Sequence, residues 1–371
     1  MRYSRFRVVE LYAGTARSAE AFRSWRRSEI CLLVDNNSHA LETYRRNRPQ
    51  APYVLKNLRT TSPTEILALA GGHIDILLGC PPCQGFSETG TRDPNDSRNR
   101  HLSVFFQIAL ALKPLAIAME NVPLAGVTSQ FRRCLQSMEH AGYRWTAGVV
   151  NAAAHGSPQS RQRLLYVAIR GDVGVDPVIH APTHGSSGKY FSYRCGCMKK
   201  IEDDVIDMLG ITPATRRMKE FLPYWETDLG PGKVPRVGEV LDGLPRIGTT
   251  AAERLDHRPW SHTPATLARM ARVPEGGRWN GGMDHFSQSY GRLHRRGLAR
   301  TITGFFPNAG SGRYWHPREN RALTLREAAR IQGFPDSFSF IPPYSKAAAL
   351  VGNALDSTLA GITYSSIRSC L

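Results

Sequence analysis

The chain has 371 residues, 41% hydrophobic and 21% charged, proportions that exclude collagen-like, fibrous and disordered classes and leave room for two domains. Its 48 Lys and Arg against 31 Asp and Glu give a net charge of +17, spread along the chain and not gathered in a tail, which predicts a polyanionic partner for a basic folded surface. No run approaches the roughly 18 apolar residues of a membrane span, so no anchor or leader is expected; seven cysteines, an odd count with a Cys80-Pro81-Pro82-Cys83 cluster, predict a reducing cytoplasm and not a disulfide framework.

Along the first 170 residues, short β-branched runs alternate with helix-like stretches. Strands are expected at Arg7 to Leu11, Ile30 to Val34, Ile74 to Leu78, Ala116 to Glu120, Trp145 to Val150 and Leu164 to Ile169. Helices are expected at Ser18 to Arg26, His39 to Arg48, Thr64 to Ala70, Ser103 to Leu112 and Phe131 to Ala141. This alternation predicts a doubly wound α/β domain with a mostly parallel sheet, whose ligands sit at the carboxyl ends of the strands. From about residue 171 the pattern dissolves into Gly, Pro, Ser and His, predicting an irregular, extended region. Helical order returns at Thr324 to Gln332 and after Ser345.

Three strand-end segments carry candidate chemistry. Cys83 follows the buried strand Ile74 to Leu78, with two prolines fixing the backbone ahead of it, an arrangement that a held nucleophile and a buried cysteine in a Pro-rich turn both satisfy. Glu120 and Asn121 end the strand Ala116 to Glu120, and a carboxyl there can face the same crevice. Arg161 and Arg163 precede the strand Leu164 to Ile169, and alternate positions predict a paired cationic wall.

Together these segments resemble the DNA cytosine-5 methyltransferase family. Pro81-Pro82-Cys83-Gln84, Glu120-Asn121-Val122 and Gln159-x-Arg161-x-Arg163 match its catalytic motifs in order and spacing, as do Arg326-Glu327-Ala328-Ala329-Arg330-Ile331-Gln332-Gly333-Phe334-Pro335 and Gly352-Asn353-Ala354-Leu355. The resemblance covers residues 7 to 170 and about 300 to 356. It implies an S-adenosylmethionine-dependent methyltransferase fold, a flipped-out cytosine in double-stranded DNA as substrate, and Cys83, Glu120, Arg161 and Arg163 as catalytic residues. Cys83 would attack carbon 6, and a protonated Glu120 would neutralise charge at N3. Arg163 would hold O2, while Arg161 would steady the cysteine and Glu120 side. Pro81 would accept the amine proton, with Gln84, Ser87, Asn121 and Gln159 also lining the substrate.

For the cofactor, the resemblance implies Tyr12 stacking on adenine, the Ala13-Gly14 backbone near the methionine end, Asp35 on the ribose hydroxyls, and Asn36, Asn57, Leu58, Pro81, Leu102 and Asn353 around the pocket. Ala16 and Arg17 stand where the family has two glycines, and either Arg17 pairs with the methionine carboxylate or it is solvated. Residues 171–337 take the place of a target-recognition domain, with 1–170 and 338–371 forming the catalytic and cofactor-binding domain. Within the former, Arg194, Lys199, Lys200, Arg216, Arg217, Arg292, Arg295 and Arg296 are candidate DNA contacts. His180, His184, Cys195 and Cys197 include zinc-type ligands, but the Cys-x-Cys spacing is short and no metal is expected. The resulting expectation is a cytoplasmic DNA methyltransferase of restriction-modification or other phage-defence type. A tRNA cytosine-5 methyltransferase and a catalytically silent DNA-binding relative are the alternatives.

Overall fold

The computed structural model describes residues 5–82, 100–180, 182–184, 191–194, 232–279 and 289–371. An eight-stranded sheet runs β3-β2-β1-β4-β5-β8-β6-β9. It comprises β1 (Phe6–Leu11), β2 (Ser28–Asp35), β3 (Tyr53–Leu55), β4 (Ile76–Gly79), β5 (Ala116–Asn121), β6 (Tyr143–Asn151), β8 (Gln162–Arg170) and β9 (Phe191–Arg194). A small parallel pair joins β7 (Gln159–Ser160) to β10 (Ala299–Arg300). Strands β4 and β8 are nearly continuous apolar runs because helices cover both faces of the sheet.

The crossovers are α1 (Arg17–Phe22), α2 (Ser38–Asn47), α3 (Pro63–Ala70), α4 (Arg100–Leu112) and α5 (Ser129–His140). Three start at side-chain caps legible in the sequence: Asn37 accepts from the Ala40 N–H, Ser62 from Glu65 and Thr128 from Phe131. Strand order reverses between β1 and β4, which makes the crevice beyond their carboxyl ends the switch point where such sheets bind ligands.

The pairings from β3 to β5 are parallel, as the alternation predicts, but β8 runs antiparallel to both β5 and β6. Only residues 152–161 separate β6 from β8, too few for the crossover of a dozen or more residues that parallel neighbours require. The reversal brings the start of β8 beside the end of β5. Strand β3 was not expected; at three residues it is too short to show a period.

A second apolar cluster holds Val237, Leu293, Ile302, Phe306, Leu323, Ala328, Ile331, Phe338, Ala347 and Val351. It gathers α6 (Val237–Leu241), α9 (Leu325–Ile331) and α10 (Tyr344–Asn353), so the expected join at 337/338 falls inside it. Two further helices, α7 (Thr250–Arg254) and α8 (Pro264–Ala271), also interrupt the stretch expected to be irregular. Helices α6, α7 and α8 span only about one to two turns, so their apolar spacing hardly repeats. The chain then returns through α11 (Ser357–Arg368), whose Tyr364 packs on Phe22 and Trp25, with ring centroids 5.1 and 6.2 Å away.

Candidate active site

Antiparallel pairing sets Asn121 opposite Leu164, which places Arg163, the next residue, at the end of β5. Its Nε lies 2.8 Å from Oε1 of Glu120, with both side chains largely buried. Asn121, itself buried, donates from Nδ2 to the Pro81 carbonyl at 3.2 Å, so the β5 end is tied to the loop after β4. Cys83, Gln84 and Ser87 lie outside the described residues.

Cys80 begins that loop, with its Sγ 3.8 Å from the Ser18 hydroxyl. Burial first, then the charges of Glu120 and Glu10, push its thiol well above the ordinary range, so it stays protonated. Cys31, Cys134 and Cys370 are likewise free, and burial raises each thiol. None of the described cysteines is therefore set up as a thiolate.

Arg161 takes a different position from the expected wall beside Glu120. It is buried, with guanidinium donors reaching the carbonyls of Ile302 (3.1 Å), Gly352 (3.4 Å) and Ala354 (3.1 Å). The period-two argument does not hold at this position, because residue 161 falls between β7 and β8 and not in a strand. Gly352 is required there: a Cβ on it would sit 2.0 Å from the Gly304 nitrogen. Gln159, expected at the substrate, is fully buried instead. Its Nε2 donates to Gln332 Oε1 (2.6 Å) and Asp356 Oδ2 (2.8 Å), while its Oε1 accepts from the Ile302 N–H (3.2 Å). Ser157 also donates to Asp356 Oδ2, at 2.8 Å. A side chain saturated in this way has no donor left for a base, so its work is to join β7 to the C-terminal segment.

At the cofactor end, the loop after β1 alternates left-handed residues, with φ of 55° at Tyr12, 49° at Gly14 and 53° at Ala16. Two of these are not glycine, so backbone strain is concentrated here. The Gly14 N–H donates to Asp35 Oδ2 at 2.8 Å, and the Tyr53 hydroxyl donates to the Gly14 carbonyl at 2.9 Å. Burial raises the Asp35 carboxyl despite this bond. Glu10 accepts from the Ala19 N–H at 2.8 Å, and burial pushes its carboxyl up to about 8. A Cβ on Gly14 would meet no atom within 4 Å, and the buried Thr15 hydroxyl has no partner. Open space over a glycine, an unused hydroxyl and an acidic residue at the end of β2 suit a nucleoside with a polar tail, so these residues fit S-adenosylmethionine.

The other expected cofactor residues are dispersed. Asn36, Asn57 and Asn353 are exposed, whereas Ala13, Leu58 and Leu102 are buried, the last two inside the sheet's main cluster. Asn57 Oδ1 accepts from the Arg59 N–H at 3.1 Å, so the acceptor foreseen for adenine is used locally. Tyr12 meets His101 edge-on, at a centroid distance of 5.4 Å. Arg17 matches neither reading: Nη2 donates to the Gly333 carbonyl at 2.8 Å, and the guanidinium lies 4.5 Å from the Phe334 ring centroid.

Of the candidate DNA contacts, Arg292 is buried, donating to the carbonyls of Val273, Met270, His316 and Glu319, so it ties the end of α8 to the segment 316–319. Arg295 lies 3.8 Å from Glu275, and Arg296 is exposed. Lys199, Lys200, Arg216, Arg217, Cys195 and Cys197 are outside the described residues, as is any contact of the Arg194 side chain. Among the described residues no cluster of three or more His, Cys, Asp or Glu could hold a metal ion. His184 instead packs its ring where Cβ atoms on Gly156 and Gly232 would lie 2.9 and 2.7 Å away.

Sequence reasoning missed Ser157, Gln332 and Asp356 as members of the buried network around Gln159, and Tyr53 and His101 beside the cofactor loop. The first three lie within or next to segments already singled out; the last two had no local signal.

A sheet with this switch point, an acidic residue at the end of β2 and a Glu–Arg pair at the β5 and β8 ends defines an S-adenosylmethionine-dependent methyltransferase. The family description "C-5 cytosine-specific DNA methylase" matches residues 6–368, and the chain belongs to that family. Type II methylase M.HgiDII of Herpetosiphon aurantiacus is 27% identical, over 91% of this chain and 88% of its own length. Type II methyltransferase M.AgeI of Thalassovita gelatinovora is 30% identical, over 94% and 96%. The crystal structure of S. pombe Dnmt2 methyltransferase superposes with a TM-score of 0.63 at 16% identity, covering 99% of each chain, a likeness of fold. The protein is a DNA (cytosine-5)-methyltransferase that uses S-adenosylmethionine as methyl donor. No helix among the described residues is long and apolar enough to cross a membrane.

Proposed function

We propose that the protein methylates carbon 5 of a flipped-out cytosine within a specific double-stranded DNA sequence, through a covalent bond from Cys83. The observation that carries this reading is the Glu120–Arg163 pair, 2.8 Å apart at the mouth of the loop that leads to Cys83. Carbon 5 of cytosine is a poor nucleophile. The Cys83 thiolate adds to carbon 6 while Glu120 gives a proton to N3, and the electron pair then gathers at carbon 5. S-adenosylmethionine supplies the electrophilic methyl group for that carbon. Loss of the carbon 5 proton to water, expulsion of the Cys83 thiolate and return of the N3 proton to Glu120 regenerate the ring and the enzyme. Arg163 holds the Glu120 carboxyl in place, and Arg161 acts through backbone carbonyls as a positioning residue. Tyr12, Gly14 and Asp35 hold the cofactor.

In this reading residues 171–337 supply the recognition of the DNA sequence and 1–170 with 338–371 the chemistry, the two parts sharing one core across the 337/338 join. The protein works in the cytoplasm as the modification half of a restriction-modification or other defence system, a reading supported by the type II relatives it matches over most of their length. Bisulfite sequencing of DNA from cells expressing the protein tests this: one sequence context should become protected throughout. Protection without any context, or none at all with an active preparation, would count against sequence-specific modification.

A further inference from the structure

Two groups beside the site take no part in the reaction as drawn: the buried Glu10 carboxyl near the end of β1 and the largely buried Cys80 thiol after β4. The sheet brings them to the catalytic carboxyl. Parallel ladders align Leu11 with Gly79 and Gly79 with Met119, so the next residues, Cys80 and Glu120, stand side by side at the carboxyl ends of β4 and β5. Hydrogen bonds complete the connection. The Ser18 hydroxyl bonds the Glu10 carboxyl and lies 3.8 Å from Cys80 Sγ, and the Cys80 thiol bonds the Glu120 carboxyl. Glu120 ends the chain in its 2.8 Å pair with Arg163.

The chain is enclosed. Cys80 packs against the apolar cluster of Val150, Leu165, Leu355, Leu359 and Ile362. Facing Glu10 are Arg17, Ser18 and Glu20 from α1, Tyr53 from β3 and Cys80 itself, while Glu10, Ser18 and Glu120 face Cys80. Burial outweighs the hydrogen bonds that Glu10 accepts and pushes its carboxyl up to about 8, so it keeps its proton at neutral pH. In the ion pair with Arg163, Glu120 is a carboxylate, and the proton it gives to N3 has to reach it first. An acid serves best when its pKa lies near the working pH, a condition Glu10 meets.

We propose that Glu10, Ser18 and Cys80 form a proton store for Glu120, supplying the proton that goes to N3 and recovering it at the end of the turnover. The inference rests on the reading of Glu120 as the acid at N3. In the supplying step the Cys80 S–H proton moves to the Glu120 carboxylate, the Ser18 O–H proton to the Cys80 sulfur and the Glu10 proton to the Ser18 oxygen. Glu10 is left as a carboxylate, and neither the sulfur nor the hydroxyl ends with a charge. When N3 returns its proton to Glu120 the same three transfers run backwards, so no net proton is consumed. All three residues act through Glu120 and are positioning residues.

The test is single-turnover methyl transfer between pH 6 and 9, on a short duplex containing the methylated site, for wild type, E10Q, S18A, C80A, C80S and E120Q. The wild-type rate should fall as pH rises through about 8, where Glu10 loses its proton. E10Q, S18A and C80A each break the chain; they should slow transfer by about 10²-fold at pH 7 and lose the fall near pH 8, whereas C80S, whose hydroxyl passes a proton, should recover both rate and profile. Calorimetry should show wild-type affinity for S-adenosylmethionine and for the duplex in S18A, C80A and C80S. A wild-type rate and profile in S18A or C80A, C80S as slow as C80A, or a wild-type rate still rising through pH 9 overturns the proposal. A slower rate with the fall near pH 8 unchanged marks a structural role and overturns it too; S18A decides the matter should C80A fail to fold. Failure of the underlying reading is separate: E120Q would then react at the wild-type rate.

Discussion

The Nε of Arg163 lies 2.8 Å from Oε1 of Glu120 although the two residues belong to strands running in opposite directions. Had β8 been parallel to β5, its first residues would lie at the far end of the sheet, and Glu120 would face the crevice alone. The short return from β6 is thus a condition for the site and not a detail of topology.

The pairing predicts how substitutions divide between turnover and binding. Glu120→Gln keeps the shape but has no proton to give, and single-turnover methyl transfer should slow by at least about 10²-fold. Arg163→Lys loses the planar fork that holds the carboxyl and should reduce kcat in the same direction. Cofactor affinity, measured by calorimetry, should be preserved in both; a wild-type rate in Glu120→Gln would assign that residue a structural role only.

Glu10 links stability to pH. Its carboxyl is raised by burial from 4.5 to about 8, so the folded protein holds the proton more tightly than the unfolded chain. The associated stability is complete below about pH 4.5 and is lost as pH rises through about 8. Glu10→Gln cannot ionise, so its Tm relative to wild type should climb between pH 5 and 9. A constant Tm difference across that range would show that Glu10 does not titrate there.

How much of this was legible in the sequence depended on how local each signal was. The six longer strands, the capped helices and the strand-end positions of Glu120 and Asp35 follow from periods and caps within a few residues. The roles of Arg161, Gln159 and Arg17 do not. Their partners are backbone carbonyls or buried side chains between 141 and 316 residues away, and a carbonyl carries no sequence identity. The antiparallel β8 was legible only through the length of its connection. Short helices such as α6 and α7 left no period to read.

Arg17 supplies a direct test of that distinction. Its bond to Gly333 and its place over Phe334 predict that Arg17→Ala loses about 1–3 kcal/mol of stability. Any loss of cofactor affinity should be the same for S-adenosylmethionine and for an analogue lacking the carboxylate. Calorimetry showing a selective loss for the carboxylate-bearing ligand would return Arg17 to the cofactor.

The buried network makes a similar claim for Gln159. Replacing it with leucine orphans Asp356 Oδ2 in part and the Ile302 N–H entirely, at roughly 1–3 kcal/mol for each unsatisfied group. Urea denaturation should show the loss with the DNA absent. Unchanged stability with weakened DNA binding would place Gln159 at the substrate after all.

The covalent step is tested most directly by trapping. A duplex with 5-fluorocytosine at the methylated position, incubated with the protein and S-adenosylmethionine, should give an adduct that survives denaturation, because fluorine cannot leave as a proton. Peptide mapping by mass spectrometry should find the DNA on Cys83, and Cys83→Ala should form no adduct while still binding the duplex. An adduct on any other residue, or one that persists in Cys83→Ala, would contradict the account.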